Sequence, residues 1–347
     1  MTLRRPYHLS LVAVCAALAL SGCGGSDAGS GEEADDGPAF TLYSGRDEEL
    51  VRPLIDQYAE EAGVEIEVRY GDSAEMAAQL LEEGDGTPAD VFYSQEVGAV
   101  GALAKADLLG SLPQEVVDRA DERFRPAEGT DWVGVTGRSR VIVYNPDLVE
   151  TPPTGVLDLT DPAYRGQVAW VPGNAGFQAF MTGFRVSQGE DAAAAWLEEM
   201  QANDATVYEG NSEVLEAVEA GDQPIGLINH YYWARTAPEV GGVEEMASEL
   251  VFPAGDDPGG LVNATAVGVT PQGADNAEAQ AFVEYLLSEE GQQYFVEETY
   301  EYPVVDGVAD PEGVPALDEL EGPQLDLSDL DSLQETQALL TEAGLLS

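Results

Sequence analysis

The chain has 347 residues with 66 acidic and 14 basic side chains, and its formal net charge at pH 7 is -52. Phosphate is repelled by such an acidic surface, which argues against a nucleic-acid partner and against a basic patch that would bind anionic lipid. The two cysteines, Cys15 and Cys23, both lie near the start. The sequence therefore predicts a folded part without disulfides, thiol catalysis or cysteine metal sites.

The first 22 residues have the pattern of an export signal. Two arginines precede an apolar run at 9–20 that is too short to span a bilayer. The run ends in Leu20-Ser21-Gly22-Cys23, which has the form of a bacterial lipoprotein cleavage site. We expect cleavage before Cys23 and acyl chains on its thiol. The chain would then be held at the outer face of the cytoplasmic membrane, or be periplasmic in a Gram-negative cell.

A polar stretch at 23–39 is predicted to be a flexible tether, because Gly, Ser, Asp and Glu dominate it. After it, alternating apolar residues predict strands, and apolar residues three or four apart predict helices. In chain order these are a strand at 39–43, a helix at 48–61, a strand at 64–70, a helix at 74–83, a strand at 89–93 and a helix ending at 103. This order is typical of an α/β domain with a largely parallel sheet.

A long β-prone run at 132–144 could pass between two lobes, and a second such run lies at 261–269. Between and after them the patterns predict strands at 168–171 and 225–228 and helices at 192–201, 214–220, 278–295 and 324–346. We therefore predict a two-lobed α/β binding protein, hinged by two crossover strands, that closes around a ligand. The predicted lobes are 40–138 with 262–312, and 139–261 with 313–347.

Arg138, Arg140 and Tyr144 lie on one face of the predicted 132–144 strand, because strand side chains alternate. Two guanidiniums on one face repel each other unless an anion lies between them, so one interpretation is an anion clamp with a phenol nearby. The other is that each arginine pairs with one of the 66 acids. The spacing leaves both interpretations open.

Adjacent tyrosines, Tyr231 and Tyr232, follow the predicted strand at 225–228. Ligands of open α/β sheets bind at strand ends, and phenolate oxygen suits a small, highly charged cation. Both phenols can reach one ion only if the chain turns there, because neighbours on a strand point apart. The alternative is an aromatic pair packed in the core, and the two residues by themselves leave it open.

Six motifs occur in an order that resembles the ferric-ion-binding proteins of bacterial ABC iron importers. The likeness runs from about Phe40 to Leu346. It implies a two-lobed, type II periplasmic-binding-protein fold without catalysis, which carries Fe(III) with a synergistic anion such as carbonate or phosphate. It also implies a monomer that delivers the ion to an ABC permease. The motifs are Tyr43-Ser44-Gly45-Arg46, 69–75, 88–95, 137–141, 228–233 and Glu301-Tyr302-Pro303.

By this resemblance, Tyr231 and Tyr232 match the paired iron ligands, and Tyr144 matches a third ligand tyrosine of some members. Asp47 stands where many members have a ligating histidine, and Gln95 stands where some have a ligating glutamate. These differences imply a tyrosine-dominated site completed by an anion or water, with Asp47 as a further oxygen ligand. The residues that match anion-binding segments are Arg138, Arg140, Asn174, Gly176, Asn211 and Asn229.

His230 is the only histidine outside the leader, and the resemblance implies a structural role for it rather than ligation. A binding protein of the same fold for an organic or phosphorylated solute is the alternative function. The tyrosines and Trp233 would then form a stacking wall. An exported hydrolase is disfavoured, because the sequence has no Gly-x-Ser-x-Gly or His-Glu-x-x-His motif.

Overall fold

The structure is a computed structural model, and it describes residues 37–346. The predicted signal and Cys23 lie outside the described residues. Within residues 37–346, no helix is both long and apolar enough to cross a membrane. The strands are β1 (Phe40–Ser44), β2 (Ile66–Tyr70), β3 (Val91–Ser94), β4 (Val133–Tyr144), β5 (Val168–Trp170), β6 (Thr206–Val207), β7 (Ile225–Asn229), β8 (Glu249–Val251), β9 (Val262–Val269) and β10 (Tyr302–Pro303).

The helices lie in chain order between these strands, with short 3-10 turns and one π-helical turn, Phe295–Thr299, among them. They are α1 (Glu48–Ala62), α2 (Ser73–Glu83), α3 (Val97–Lys105), α4 (Gln114–Val117), α5 (Ala175–Gln188), α6 (Glu190–Ala202), α7 (Asn211–Glu219), α8 (His230–Val240), α9 (Pro271–Ala274), α10 (Ala277–Leu286), α11 (Glu289–Tyr294) and α12 (Leu333–Glu342).

Strand β4 belongs to both halves of the sheet. Up to Ser139 it pairs antiparallel with β9, and from Arg140 onwards it pairs antiparallel with β7. The strand order is β2-β1-β3-β9-β4-β7-β5-β6, with β8 and β10 also paired to β4. We call β1, β2, β3, β9 and β10 with their helices the first lobe, and β5 to β8 with theirs the second lobe.

The pairs of β1 with β2 and β3, and of β5 with β6 and β7, are parallel, as expected for strand–helix alternation. The pairs made by β4 and β9 are antiparallel, because both strands run back along the sheet. The sheet is therefore mixed, and the antiparallel pairs lie where the two lobes meet.

The second lobe is covered on both faces of its sheet. Ile142 packs into one apolar cluster with α5 and α6, whereas Val141 and Val143 pack into another with α7 and α8. The division follows from the alternation of side chains along β4. Most side chains of a strand that is buried on both faces are apolar, so the two arginines of β4 are exceptions that need a structural or functional reason.

The predicted helices differ from the structure at α5, α11 and α12, among other places. Helix α5 was not predicted, because Gly176 and Gly183 lower its intrinsic helix propensity. The predicted helix at 278–295 is divided at Ser288, whose side chain caps α11 by accepting from the Gly291 N–H. The predicted helix at 324–346 is helical only in α12, after a 3-10 turn at Leu327–Asp331.

The segment after residue 313 contacts both lobes. Leu317, Leu327 and Leu330 pack into the core of the first lobe, whereas Leu340 of α12 packs into the core of the second. The predicted lobe boundaries therefore stay a prediction.

Two glycines bring neighbouring connections between the lobes into contact. A Cβ at Gly322 would lie 1.9 Å from the carbonyl oxygen of Gly260, which lies two residues before the start of β9. We expect Gly322→Ala to lower the free energy of unfolding by about 2 kcal/mol or more, because backbone must move to admit the methyl group. Urea unfolding measures the change. The control is Gly86→Ala, whose Cβ would meet nothing within 4 Å. An equal effect of both variants would contradict the close approach.

Candidate functional site

Tyr231 and Tyr232 lie in the first turn of α8, directly beyond the carboxyl end of β7. The chain does turn at this point, as shared ligation requires. Their rings stack, with centroids 4.6 Å apart and planes at 29°. Tyr231 is buried and Tyr232 is half-buried. The helix start therefore places both phenols in one region at the end of the sheet.

The surroundings of Tyr232 oppose its ionisation. Burial raises the pKa of the Tyr232 phenol, and the neighbouring Tyr231 phenol raises it further. The Arg140 guanidinium acts in the opposite direction, without overcoming burial. The phenol is thus protonated at neutral pH, and only a strongly charged cation would displace its proton.

Arg140 is a buried cation that has no counter-ion in the part of the chain that the structure describes. Its side chain is 3% exposed, and none of its three guanidinium nitrogens has a hydrogen-bond partner among residues 37–346. The group lies 6.0 Å from the Phe177 ring centroid and 5.9 Å from that of Phe180. Burial lowers the pKa of Arg140 to about 10, and Arg138 contributes to this, against the opposing effect of the two tyrosines. Such a guanidinium is suited to an anion.

Three other predicted anion-binding residues meet beside Arg140. A Cβ added to Gly176 would lie 2.9 Å from Asn229 Nδ2, 3.0 Å from Asn174 Oδ1 and 3.3 Å from Arg140 Nη2. Asn174 caps α5 by accepting from the Phe177 N–H, so the N-terminus of that helix is here. Helix N-termini favour anions through free N–H groups and the helix dipole.

This cluster is continuous with the tyrosine pair. The Asn229 amide donates to the Tyr231 hydroxyl over 3.4 Å, while a small cavity beside it is lined by Arg138, Arg140 and Gly176. Asn211 begins α7 and is buried; its amide nitrogen and oxygen have no hydrogen-bond partner within residues 37–346. The phenol pair and the predicted anion-binding residues therefore share one edge of the second lobe.

Arg138 is bonded differently from Arg140. Its Nη2 donates to the Gln95 carbonyl, and its Nε lies 3.9 Å from Glu301 Oε1. Glu301 is already paired with Arg46, whose Nη2 and Nη1 donate to it over 2.7 and 3.1 Å. The pairing interpretation thus holds in part for Arg138, and does not hold for Arg140.

Arg46 was not predicted to take part in this network, although it belongs to one of the six motifs. It is buried, and it also donates to the Gln95 side-chain oxygen over 2.8 Å. Gln95 is therefore occupied as an acceptor by Arg46 and Arg138. Asp47 is exposed and caps α1 by accepting from the Glu49 N–H over 3.0 Å. A ligand role for Asp47 stays a prediction.

Tyr144 does not lie with the other tyrosines, which corrects the predicted grouping. It pairs with Ile225 at the start of β7, whereas Arg140 pairs with Asn229 at its end. Four residues at roughly 3.3 Å each separate these positions by about 13 Å along the strand. The Tyr144 hydroxyl donates to Glu249. Because β4 and β7 are neighbours in the second lobe, closure of the lobes would not bring Tyr144 to the pair.

His230 uses both ring nitrogens within the protein. Nδ1 accepts from the Ser139 N–H over 3.2 Å, and Nε2 lies 3.0 Å from the Tyr300 carbonyl oxygen. Burial lowers the pKa of His230 to about 4, so the imidazole is neutral at pH 7. With Nδ1 accepting, Nε2 carries the proton and donates it, which fits a structural role. Nowhere in residues 37–346 do three or more His, Cys, Asp or Glu side chains form a group that could hold a metal ion.

Glu96 is a buried carboxyl group that was not predicted. It is 3% exposed, and its Oε2 has no hydrogen-bond partner within the described part of the chain. Burial raises the pKa of Glu96 to about 7; Asp72 acts in the same direction, while Arg138 and Arg46 oppose it. A single sequence gives no sign of this, because an acid beginning a helix is usually exposed.

The fold and the cluster together define a solute-binding protein. The chain belongs to the bacterial extracellular solute-binding protein family, whose profile matches residues 86–322. An Fe(3+)-binding periplasmic protein of Serratia marcescens is 33% identical over 320 residues, which cover 90% of this chain and 92% of that protein. The major ferric iron-binding protein of Neisseria gonorrhoeae is 31% identical over 313 residues, with 88% and 93% covered.

Solved structures show the same architecture. Iron-bound HitA from Pseudomonas aeruginosa is similar with a TM-score of 0.80 and 31% identity, over 88% of this chain and 99% of that one. Trichodesmium IdiA (FutA), solved with iron and citrate, is similar with a TM-score of 0.71 and 26% identity, over 88% and 99%. The prediction of a two-lobed α/β binding fold is confirmed.

Arg46 and Arg140, both buried, should respond differently to loss of their charge. Arg46→Met leaves Glu301 without its main partner, so we expect the unfolding free energy of the metal-free protein to fall by about 3–5 kcal/mol. Arg140→Met removes an unpaired buried charge, so stability should stay unchanged or rise by up to about 3 kcal/mol. Urea unfolding at pH 7 measures both variants. A large loss with Arg140→Met would show that Arg140 has a stabilising partner in the protein.

The buried carboxyl of Glu96 should make stability depend on pH. Its folded-state pKa of about 7 lies above the ordinary value of 4.5, so its stabilising protonation is complete below pH 4.5 and is lost as pH rises through 7. Glu96→Gln should therefore stabilise the metal-free protein by up to about 3 kcal/mol more at pH 8 than at pH 5. Urea unfolding at both pH values gives the difference. The same effect at both would contradict a buried, protonated Glu96.

Proposed function

We propose that this chain is an extracytoplasmic Fe(III)-binding protein that captures the ion in the cleft between its lobes and catalyses no reaction. One observation carries the proposal: a stacked pair of phenols lies beside a buried guanidinium that has no counter-ion within residues 37–346. The names of the relatives from Serratia marcescens and Neisseria gonorrhoeae support ferric iron as the cargo.

Tyr231 and Tyr232 are the proposed principal ligands. Phenolate oxygen is a hard donor, which suits a small trivalent cation better than copper or zinc. The ion must displace the phenol protons, and burial of Tyr232 makes that displacement harder. Only a cation of high charge offsets this cost, so the same burial that opposes ionisation favours a trivalent ion over a weakly charged one.

A synergistic anion completes the proposed site. Two phenolates leave one positive charge of Fe(III) uncompensated, and the Arg140 guanidinium adds another nearby. Carbonate or phosphate would meet both, held by Arg140, Asn229 and the α5 N-terminus with Asn174 and Gly176. Arg138 lines the same cavity, and Asn211 lies beside Tyr232. Citrate accompanies iron in the Trichodesmium relative, so a carboxylate anion is an alternative.

The remaining parts of the proposal concern the first lobe and transport. Asp47 stays a proposed oxygen ligand, in competition with its capping bond to Glu49. Tyr144 is left out because of its position in the strand. The protein would be held at the membrane by lipid on Cys23, act as a monomer and pass its ion to an ABC permease.

Visible absorption tests whether the tyrosine pair coordinates iron. Iron bound to tyrosinate absorbs visible light, so the mature domain should develop a charge-transfer band when chelated Fe(III) is added. We expect Tyr231→Phe and Tyr232→Phe each to weaken binding at least tenfold, because each removes one anionic ligand. The double variant should give no band. Tyr144→Phe is the matched control and should keep the band of the unaltered protein.

A band that persists unchanged in the double variant would rule out coordination by the pair. If organic phosphates raised the melting temperature of the metal-free protein and Fe(III) did not, the cargo would instead be an organic or phosphorylated solute. In that case the phenols would serve as a stacking surface.

A further inference from the structure

His230 connects the start of α8 to two other parts of the backbone. Its Nδ1 accepts from the main-chain N–H of Ser139, and its Nε2 donates to the main-chain carbonyl of Tyr300. The side chain is fully buried. Because both ring nitrogens are engaged, the imidazole has no lone pair left for a metal ion. The role of His230 therefore depends on the parts of the backbone that these two hydrogen bonds connect.

The two backbone partners lie at the junction and in the first lobe. Ser139 is the last β4 residue paired with β9, and the next residue, Arg140, is paired with β7. Tyr300 follows the π-helical turn and has a φ of 57°, a left-handed conformation that side-chain-bearing residues seldom adopt. A hydrogen bond to its carbonyl helps to hold this unfavourable turn.

An aromatic row passes through the same histidine. The His230 ring stacks on Tyr302 of the first lobe at 4.5 Å and 24°, and it meets the Tyr231 ring edge-on at 5.8 Å and 83°. Tyr231 in turn stacks on Tyr232. The row therefore runs from β10, which pairs with β4 at Gly137, to both phenols.

We infer that His230 is a positioning residue that fixes the first turn of α8 to the first lobe, so that the lobes cannot separate without disturbing the tyrosine pair. The backbone bond to Tyr300 and the stack on Tyr302 are both contacts between the lobes. Separation must break them, and the ring that lies edge-on to Tyr231 then loses its stack on Tyr302. For the bound ion, this inference rests on the proposed function.

The rate of iron release tests the inference. His230→Phe keeps an aromatic ring but loses both hydrogen bonds, and His230→Gln keeps a donor for Tyr300. The iron-loaded protein is mixed with excess EDTA at pH 7, and the visible band is followed. We expect release to be about tenfold faster or more in His230→Phe, and intermediate in His230→Gln, because one buried hydrogen bond corresponds to about a tenfold change.

Trp233→Phe is the matched control. Trp233 lies in the same helix and is buried, and its indole donates to the Ser248 carbonyl and hydroxyl, both inside the second lobe. The variant loses buried hydrogen bonds that are made within the second lobe. It should lose stability and yet release iron at the rate of the unaltered protein. Equal acceleration in Trp233→Phe and His230→Phe would reduce the role of His230 to general stability and overturn the inference.

Solution scattering of the metal-free protein gives a test that needs no iron. His230→Phe should have a larger radius of gyration than the unaltered protein and Trp233→Phe, because its lobes are less restrained. If the unaltered protein fails to bind iron, the proposed function is wrong. The scattering experiment alone then tests whether His230 restrains the lobes. If iron binds while release rate and scattering are unchanged in both His230 variants, the inference is wrong. His230→Gln supplies the comparison if His230→Phe does not fold.

Discussion

The change of partners within β4 is the constraint on which the site depends. Up to Ser139 this strand is part of the first lobe, and from Arg140 it is part of the second. The residues around this point therefore lie at the boundary between the lobes as part of a continuous strand, not of a connecting loop. Arg138 reaches back to Gln95 and Glu301, while Arg140 reaches the start of α5. Backbone hydrogen bonds of a buried strand fix both directions, which gives the site a rigid base.

The buried charge near the junction of the lobes is mainly positive, although the net charge of the chain is strongly negative. The chain has a net charge of -52, yet three arginines are buried near the junction, and Glu301 is the main acid that faces them. Arg46 and Glu301 form an ion pair, and Arg138 lies 3.9 Å from the same carboxylate. Arg140 keeps its charge. The surplus is therefore confined to the side of the site where Asn174, Gly176 and Asn229 meet, so an anion and a cation would occupy adjacent but different places.

The sequence patterns located most strands of the sheet within two residues, because alternation and apolar runs are local properties. They failed where the cause is not local. Helix α5 contains two glycines and forms because its phenylalanines are buried in the second lobe. The pair of Arg46 and Glu301 joins residues 255 positions apart, which no spacing rule connects. Both lie in motifs of the family resemblance, which identified the residues without showing that they touch.

Tyr144 shows the limit of face arguments. The prediction that Tyr144 and Arg140 lie on one face of the strand was correct, because Tyr144 and the phenylalanines beneath Arg140 belong to one core cluster. Position along the strand, however, depends on the register with β7, and that register is set by pairing rather than by sequence spacing. The turn at Tyr231 was predictable because a strand end and a helix start are both visible in the residues.

The place of β9 has a consequence for the order of events during folding. Its residues, Val262–Val269, come late in the chain but lie between β3 and β4, at the centre of the first lobe's part of the sheet. The second lobe's strands, by contrast, follow one another from Arg140 to Val251. A chain that emerges from its N-terminus can thus complete the second lobe's sheet while β3 still has an unpaired edge. Until β9 is added, the facing edges of β3 and of the first half of β4 both stay unpaired.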